Sequence, residues 1–117
     1  MYNRKQDITR IRHMLDFAGK VLDFTRERNR EDLDSNEMMA MATIHLIELI
    51  GEASRSVSEA FKEKYPDIPW EAIVGTRNRL AHGYIDVDLD IIWAIVTRDL
   101  PDLVRQLEQL LDKEGSV

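Results

Sequence analysis

The sequence contains no cysteine, and it has only five glycines and three prolines among its 117 residues. The absence of cysteine excludes disulfides and thiolate metal sites, and nothing argues for an oxidising compartment. With few residues suited to tight turns, a few long helices are favoured over many short strands. No stretch approaches the roughly 18 apolar residues of a membrane span, and the polar N-terminus does not resemble a secretory signal. We therefore expect a cytoplasmic protein with no membrane partner.

Charge is distributed unevenly along the chain, whose formal net charge is −6. Residues 1–30 carry eight Lys or Arg and four Asp or Glu, whereas residues 31–117 carry eight and eighteen. A largely acidic surface is unsuited to coating nucleic acid, because non-specific phosphate binding requires a broad basic surface. A local phosphate site is still compatible with this distribution. The length suits a single domain, 1–117, with one core.

Apolar residues repeat at three- and four-residue steps over most of the chain, which predicts an all-α fold. The helices are expected at about residues 4–28, 35–64, 69–81 and 88–113. The second is apolar over so much of its circumference that it should lie centrally or in a subunit interface. Asp34 or Ser35 should cap it, and Pro101 should bend the fourth helix. Four such helices joined by short loops indicate an antiparallel four-helix bundle.

One group of aspartates, Asp86, Asp88 and Asp90, alternates in the manner of a calcium-binding loop. Such a loop needs a glycine at its sixth position, where this sequence has Ile91. Helix capping explains the same aspartates, because carboxylates stabilise the positive end of a helix. We interpret them as capping residues.

A second acidic group lies on the second predicted helix, where His45, Glu48 and Glu52 fall near one face. Di-metal helical bundles need several Glu-x-x-His pairs, and this helix holds only one partial, reversed copy. Carboxylates on an apolar helix can instead pair with cations, for which Arg77 and Arg79 are the candidates. The sequence also lacks a glycine-rich phosphate loop, so we expect no metal and no cofactor.

The stretch RNRLAHGY, residues 77–84, gathers cations, a histidine and a tyrosine at the end of the third predicted helix. Arginine suits bidentate phosphate contact and histidine exchanges a proton near neutral pH, so Arg77 and His82 could cleave a phosphodiester without a metal. Residues five apart on a continuous helix differ in direction by about 140°. The two would therefore converge only if the helix ends near Ala81 or if two chains meet. A structural Arg–Glu pair and a helix-ending histidine would explain the same residues without catalysis.

The same stretch matches the Arg-x-x-x-x-His-x-Tyr motif of HEPN proteins, and the chain resembles the HepT-like toxins among them. The segments ELIGEAS, YPDIPWEAIVGTRNRLAHGYIDVDLDIIW and DLPDLVRQLEQLL follow in that family's order, from about residue 7 to 112. The resemblance implies a HEPN-type helical bundle that forms a homodimer and brings two motifs to one cleft. It also implies a metal-independent ribonuclease that cuts RNA and not DNA, acting as the toxin of a toxin–antitoxin pair.

By this resemblance Arg77 and His82 would be catalytic, and Tyr84 would accept AMP from the antitoxin, a minimal nucleotidyltransferase. The supporting candidates are Asn78, Arg79 and Glu48. A second interpretation stays open, in which a non-catalytic module binds the nucleotidyltransferase and offers Tyr84 without cutting RNA. The intact Arg77 and His82 favour the ribonuclease, whereas the acidic net charge favours the module.

Overall fold

Helices account for all the regular secondary structure within residues 3–80 and 87–115, the residues that the computed structural model describes. Six helices follow one another in that part of the chain: α1 (Arg4–Thr25), α2 (Arg30–Ser35), α3 (Glu37–Arg55), α4 (Glu59–Lys64), α5 (Trp70–Leu80) and α6. The last comprises Leu89–Ala94, a π-helical turn at Ile95–Asp99, and Leu100–Glu114. The prediction of an all-α fold is confirmed. Among these helices, none combines the length and apolarity needed to cross a membrane.

Helix α3 is central to the fold and packs against both α1 and α5. Its residues Ile44, Ile47 and Ile50 are all buried. The main core also contains residues of α1, α4 and α6, including Ile8, Ile11, Met14, Phe61, Leu103 and Leu107. Burial on several sides explains much of the apolar circumference of α3, and of the two predicted alternatives, a central position or a subunit interface, the structure shows the first.

The predicted second helix, about 35–64, is in fact two helices, α3 and α4. The chain leaves α3 after Arg55, and Ser58 caps α4 by accepting a hydrogen bond from the Phe61 amide at 3.2 Å. Asp7 of α1 fixes this cap, because its carboxylate accepts from the Ser58 amide at 2.9 Å and from its hydroxyl at 2.7 Å. The prediction of one continuous helix was wrong because a distant carboxylate stabilises the break.

The polar segment before α3 also differs from the prediction. Residues expected to form a break contain the short helix α2, where Asp32 accepts a hydrogen bond from the Asn29 amide at 2.7 Å. The cap of α3 is Asn36, whose side chain accepts from the Met39 amide at 3.0 Å, rather than Asp34 or Ser35. Asp34 instead pairs with Arg30 at 3.0 Å. The helix therefore begins one or two residues later than predicted.

The π-helical turn in α6 ends at Asp99, two residues before Pro101. Proline lacks an amide donor and its ring collides with the carbonyl four residues back, so a regular α-helix cannot continue unchanged through it. A wider turn accommodates this mismatch, and Pro101 then occupies the first turn of Leu100–Glu114. At the start of α6, Asp88 accepts from the Asp90 amide at 2.9 Å, as its capping role requires. Asp86 lies outside the described residues.

A cluster around Glu114 joins the end of α6 to α1 and α4. The Glu114 carboxylate accepts from Arg4 at 2.9 Å, from Lys64 at 3.0 Å, and from the Tyr65 hydroxyl. These hydrogen bonds, that of Tyr65 above all, lower the pKa of Glu114 to about 2. Trp70 at the start of α5 donates to the Tyr65 carbonyl at 3.0 Å. The cluster therefore also fixes where α5 begins.

Candidate active site

The last turn of α5 carries the first residues of the Arg-x-x-x-x-His-x-Tyr motif. Arg77, Asn78 and Arg79 lie in this turn, and the described part of α5 extends to Leu80. His82 and Tyr84 lie outside the described residues. Cations are favoured at this end of a helix, because its unpaired carbonyl groups carry partial negative charge. The helix end thus supports the positive charge that the motif places there.

Arg77 is held by acceptors on two helices. Its Nη2 donates to Oε1 of Glu52 on α3 at 2.5 Å, and its Nη1 donates to Oδ1 of the neighbouring Asn78 at 3.1 Å. The Arg77 side chain is 25% exposed and that of Glu52 is 47% exposed. A guanidinium has five N–H donors, so these two hydrogen bonds leave donors for a ligand. Arg77 is therefore fixed in place and still accessible.

Gly51 explains why α3 and α5 come so close at this point. A Cβ atom on Gly51 would lie 2.1 Å from the Cβ of Arg77, 2.7 Å from its Cγ and 3.3 Å from the Ile73 carbonyl oxygen. Any side chain there would force the two helices apart. The missing side chain lets Arg77 pack directly on the α3 backbone, next to Glu52. Sequence reasoning missed this residue, although a lone glycine inside a helical pattern is a recognised sign of close approach.

The other supporting candidates occupy distinct positions. Glu48 is half-buried on α3, one turn before Glu52. Arg79 is exposed on α5. Neither makes an ion pair with a residue that the structure describes, so the carboxylate partner of Arg77 within residues 3–80 and 87–115 is Glu52. Asn78, in contrast, contacts the guanidinium directly.

One side of α3 carries both exposed methionines and Glu52, the partner of Arg77. Met38 is 81% exposed and Met41 is 46% exposed. Together with His45, Glu48 and Glu52 they recur at three- and four-residue steps, so they share one side of the helix. From Met41 to Glu52 this side extends about 16 Å, at about 1.5 Å per residue. Exposed apolar surface therefore lies on the same side of α3 as the candidate site.

The acidic residues of α3 do not form a metal-binding group with their described neighbours. Across residues 3–80 and 87–115, no three His, Asp or Glu side chains lie close enough to bind one ion. Glu52, one of the ligands considered from the sequence, instead pairs with Arg77. His45 is exposed on the same side of α3.

Comparison with protein families matches residues 14–110 to the family described as "Ribonuclease HepT-like". The match includes α3, α5 and the whole 77–84 motif, together with most of α1 and α6. The chain belongs to the ribonuclease HepT-like family.

Individual relatives agree with this assignment. The chain is 38% identical over 95 residues to a Methanocaldococcus jannaschii protein named "Putative RNase", covering 81% of this chain and 87% of the relative. It is 38% identical over 90 residues to "Probable ribonuclease HepT" of Thermococcus cleftensis, covering 77% and 82%. A "Putative RNase" of Caldanaerobacter subterraneus subsp. tengcongensis is 30% identical over 104 residues, covering 89% and 93%. No solved structure matches the chain significantly.

Proposed function

We propose that this chain is a metal-independent endoribonuclease and the toxin of a toxin–antitoxin pair. The observation that carries the proposal is Arg77, which is fixed by two acceptors, partly exposed, and five residues before His82. A guanidinium held in this way can bind a phosphate without first losing much conformational freedom. Membership of the ribonuclease HepT-like family supports the same activity.

The proposed reaction is an internal transesterification of RNA. His82 accepts the proton of a 2′-hydroxyl, and the 2′ oxygen attacks the adjacent phosphorus. Arg77 stabilises the negative charge that develops on the phosphoryl oxygens. The bond from phosphorus to the 5′ oxygen then breaks, and that oxygen receives the proton that His82 had accepted. The products are a 2′,3′-cyclic phosphate and a 5′-hydroxyl, so DNA, which lacks the attacking hydroxyl, is not a substrate.

We further propose that two copies of the chain complete the site. Residues five apart on one helix point in different directions, so a two-fold axis that brings two motifs together would let Arg77 and His82 act on one phosphate. The exposed Met38 and Met41 share a helix side with Glu52 and provide apolar surface for such an interface. Replacing both methionines with glutamate should give a monomer of low activity in sedimentation and cleavage assays. A wild-type monomer at micromolar concentration would contradict the dimer.

Regulation of the toxin is proposed to act through Tyr84. A partner nucleotidyltransferase would transfer AMP from ATP to the Tyr84 hydroxyl and release pyrophosphate. The added phosphodiester is anionic and would lie near Arg77 and His82, where it would compete with RNA for the phosphate site. Tyr84→Phe should cleave RNA but show no AMP mass shift after incubation with the partner and ATP. An equal mass shift in wild type and Tyr84→Phe would exclude this role.

An alternative function is supported by the net charge of −6. A non-catalytic module could bind the nucleotidyltransferase and present Tyr84 without cutting RNA, and an acidic surface suits such a module better than it suits RNA binding. The two functions differ in whether the isolated protein cleaves RNA.

The deciding experiment uses purified protein and total RNA, with and without EDTA, beside a His82→Ala variant. We expect cleavage that EDTA leaves unchanged, cyclic phosphate ends, and loss of about 10²-fold or more in His82→Ala. Cleavage that requires Mg²⁺, or that proceeds at the wild-type rate in His82→Ala, would overturn the mechanism. An inactive wild-type dimer that still accepts AMP would support the alternative module.

A further inference from the structure

We infer that Glu52 is a positioning residue that sets the orientation of the Arg77 guanidinium, an inference that rests on the proposed ribonuclease function. Glu52 lies on α3 and Arg77 on α5, so their 2.5 Å contact links two helices across the candidate site. Glu52 acts on the substrate only through Arg77. Its effect is therefore expected on how the phosphate is held during reaction.

The backbone arrangement brings the carboxylate within reach. Because Gly51 has no side chain, Arg77 packs against α3 directly beside Glu52. A carboxylate one turn earlier, such as that of Glu48, makes no ion pair with Arg77. The register between the two helices thus selects Glu52 as the acceptor.

The two hydrogen bonds of Arg77 orient its guanidinium group but use only two of its five N–H donors. Glu52 accepts from Nη2 and Asn78 accepts from Nη1, so each takes one of the five guanidinium donors. The donors left, one on Nε and one on each Nη, can contact a phosphate. The guanidinium plane is therefore set before a ligand binds, which reduces the freedom lost on binding.

Stability alone does not account for this pair. The Glu52 side chain is 47% exposed, and ion pairs between exposed groups contribute little to the free energy of unfolding. The main physical effect of the Glu52 carboxylate is to restrict the directions in which the long, flexible Arg77 side chain can point. Removing it should leave the fold intact and change the reaction.

Three substitutions at Glu52 test the inference. In Glu52→Ala, Arg77 keeps its charge but loses its fixed orientation, so kcat should fall about tenfold to 10²-fold. KM should stay unchanged or decrease, because RNA then meets one negative charge fewer. Glu52→Gln keeps an oxygen acceptor at the same reach and should restore kcat to within a few-fold of wild type. Glu52→Asp is shorter by one methylene and should resemble Glu52→Ala.

A matched control separates this effect from a change in net charge. Asp23 lies on α1 and forms an exposed ion pair with Arg26, so Asp23→Asn removes one negative charge away from the site and should keep the wild-type kcat and KM. Circular dichroism should show unchanged helix content and nearly unchanged melting in all these variants. A second readout, independent of activity, is ¹⁵N NMR of the arginine side chains. The Arg77 Nη signals should show slowed rotation in wild type and averaging in Glu52→Ala.

The outcomes distinguish this inference from the proposed function. If wild type cleaves RNA, Arg77→Ala is inactive and Glu52→Ala keeps the wild-type kcat, the positioning role alone is wrong. A freely rotating Arg77 guanidinium in the wild-type protein also overturns it. If the wild-type protein cleaves no RNA, the proposed function fails, whereas slowed Arg77 rotation that depends on Glu52 would still support the orientation described here.

Discussion

Two arginine–glutamate pairs within the described residues join helices that are distant in the sequence, and their carboxylates have different surroundings. Glu114 accepts from Arg4, Lys64 and Tyr65, and its side chain is 5% exposed. Glu52 pairs with Arg77, and its side chain is 47% exposed. Both pairs have the same charges and leave the arginine partly exposed, at 39% for Arg4 and 25% for Arg77, but only the second arginine belongs to the Arg-x-x-x-x-His-x-Tyr motif.

The difference shows how one kind of contact serves two purposes. At Glu114 several donors converge on one shielded carboxylate, so the hydrogen bonds fasten α1, α4 and α6 together. At Glu52 a single carboxylate fixes an arginine that keeps donors for a ligand. The burial of the carboxylate and the number of donors that converge on it separate the structural pair from the candidate functional pair.

The largest expected effect comes from removing the arginine of each pair. Arg77→Ala should lower RNA cleavage about 10²-fold or more, because the group proposed to stabilise the phosphoryl charge is lost. Arg4→Ala should keep the wild-type cleavage rate per folded molecule and lower the melting temperature instead. Initial cleavage rates and thermal melts of both variants provide the measurement. Equal losses of activity would remove the functional distinction between the pairs.

A substitution at Gly51 would disrupt the close approach of α3 and α5 that brings Arg77 next to Glu52. Gly51→Ala would place a methyl group 2.1 Å from the Arg77 Cβ, so the helices must separate, at a cost of about 1–3 kcal/mol. Cleavage should fall as well, because Arg77 moves relative to Glu52.

Gly19 in α1 is the matched control, since a Cβ there would meet nothing within 4 Å. Gly19→Ala should stabilise the protein by about 0.5–1 kcal/mol through better helix propensity and keep its activity. Urea unfolding measures both changes. A Gly51→Ala protein as stable and active as wild type would show that the contact is unimportant.

The dependence of stability on pH tests the structural role of Glu114. The folded-state pKa of about 2 lies below the value of 4.5 for an unpaired glutamate. The ionised Glu114 carboxylate therefore contributes to the free energy of unfolding in full above pH 4.5, and this contribution is lost as the pH falls from 4.5 towards 2. Allowing for solvent screening of the exposed Lys64, we expect about 1–2 kcal/mol. Glu114→Gln should be less stable than wild type at neutral pH, with a difference that shrinks below pH 4.5. A difference independent of pH would contradict this account.

The smallest expected effect is the stability change at the exposed pair. Glu52→Gln should alter the free energy of unfolding by less than about 1 kcal/mol at neutral pH, as measured for exposed ion pairs in general. Urea unfolding beside Glu114→Gln gives the comparison directly. If Glu52→Gln were the more destabilised of the two, the Glu52 pair would be structural after all.

The sequence was informative about the long helices and about the motif. Periodic apolar residues identified α1 and α6, because burial of one helix side follows directly from residue spacing. The break between α3 and α4 could not be predicted, since it depends on Asp7 capping Ser58 from 51 residues away. Local preference alone does not distinguish a serine that continues a helix from one that ends it.

The candidate site was predicted in part. The motif residues Arg77, His82 and Tyr84 came from family resemblance, and their catalytic and modification roles stay predictions. The choice of Glu52 rather than Glu48 as the partner of Arg77 depends on the register of two packed helices. That register is set by Gly51, and no periodicity within either helix reveals it.

The contact between Arg4 and Glu114 also indicates where the chain could be circularly permuted. Arg4 Nη2 donates to the Glu114 main-chain carbonyl at 2.6 Å, so the two extremes of the helical array touch. In a variant made of residues 4–114 alone, a short linker from Glu114 to Arg4 would join α6 to α1, and new ends could be opened in the turn between α1 and α2. Such a circular permutant preserves the Arg77 and Glu52 region, and it should melt cooperatively with native helix content.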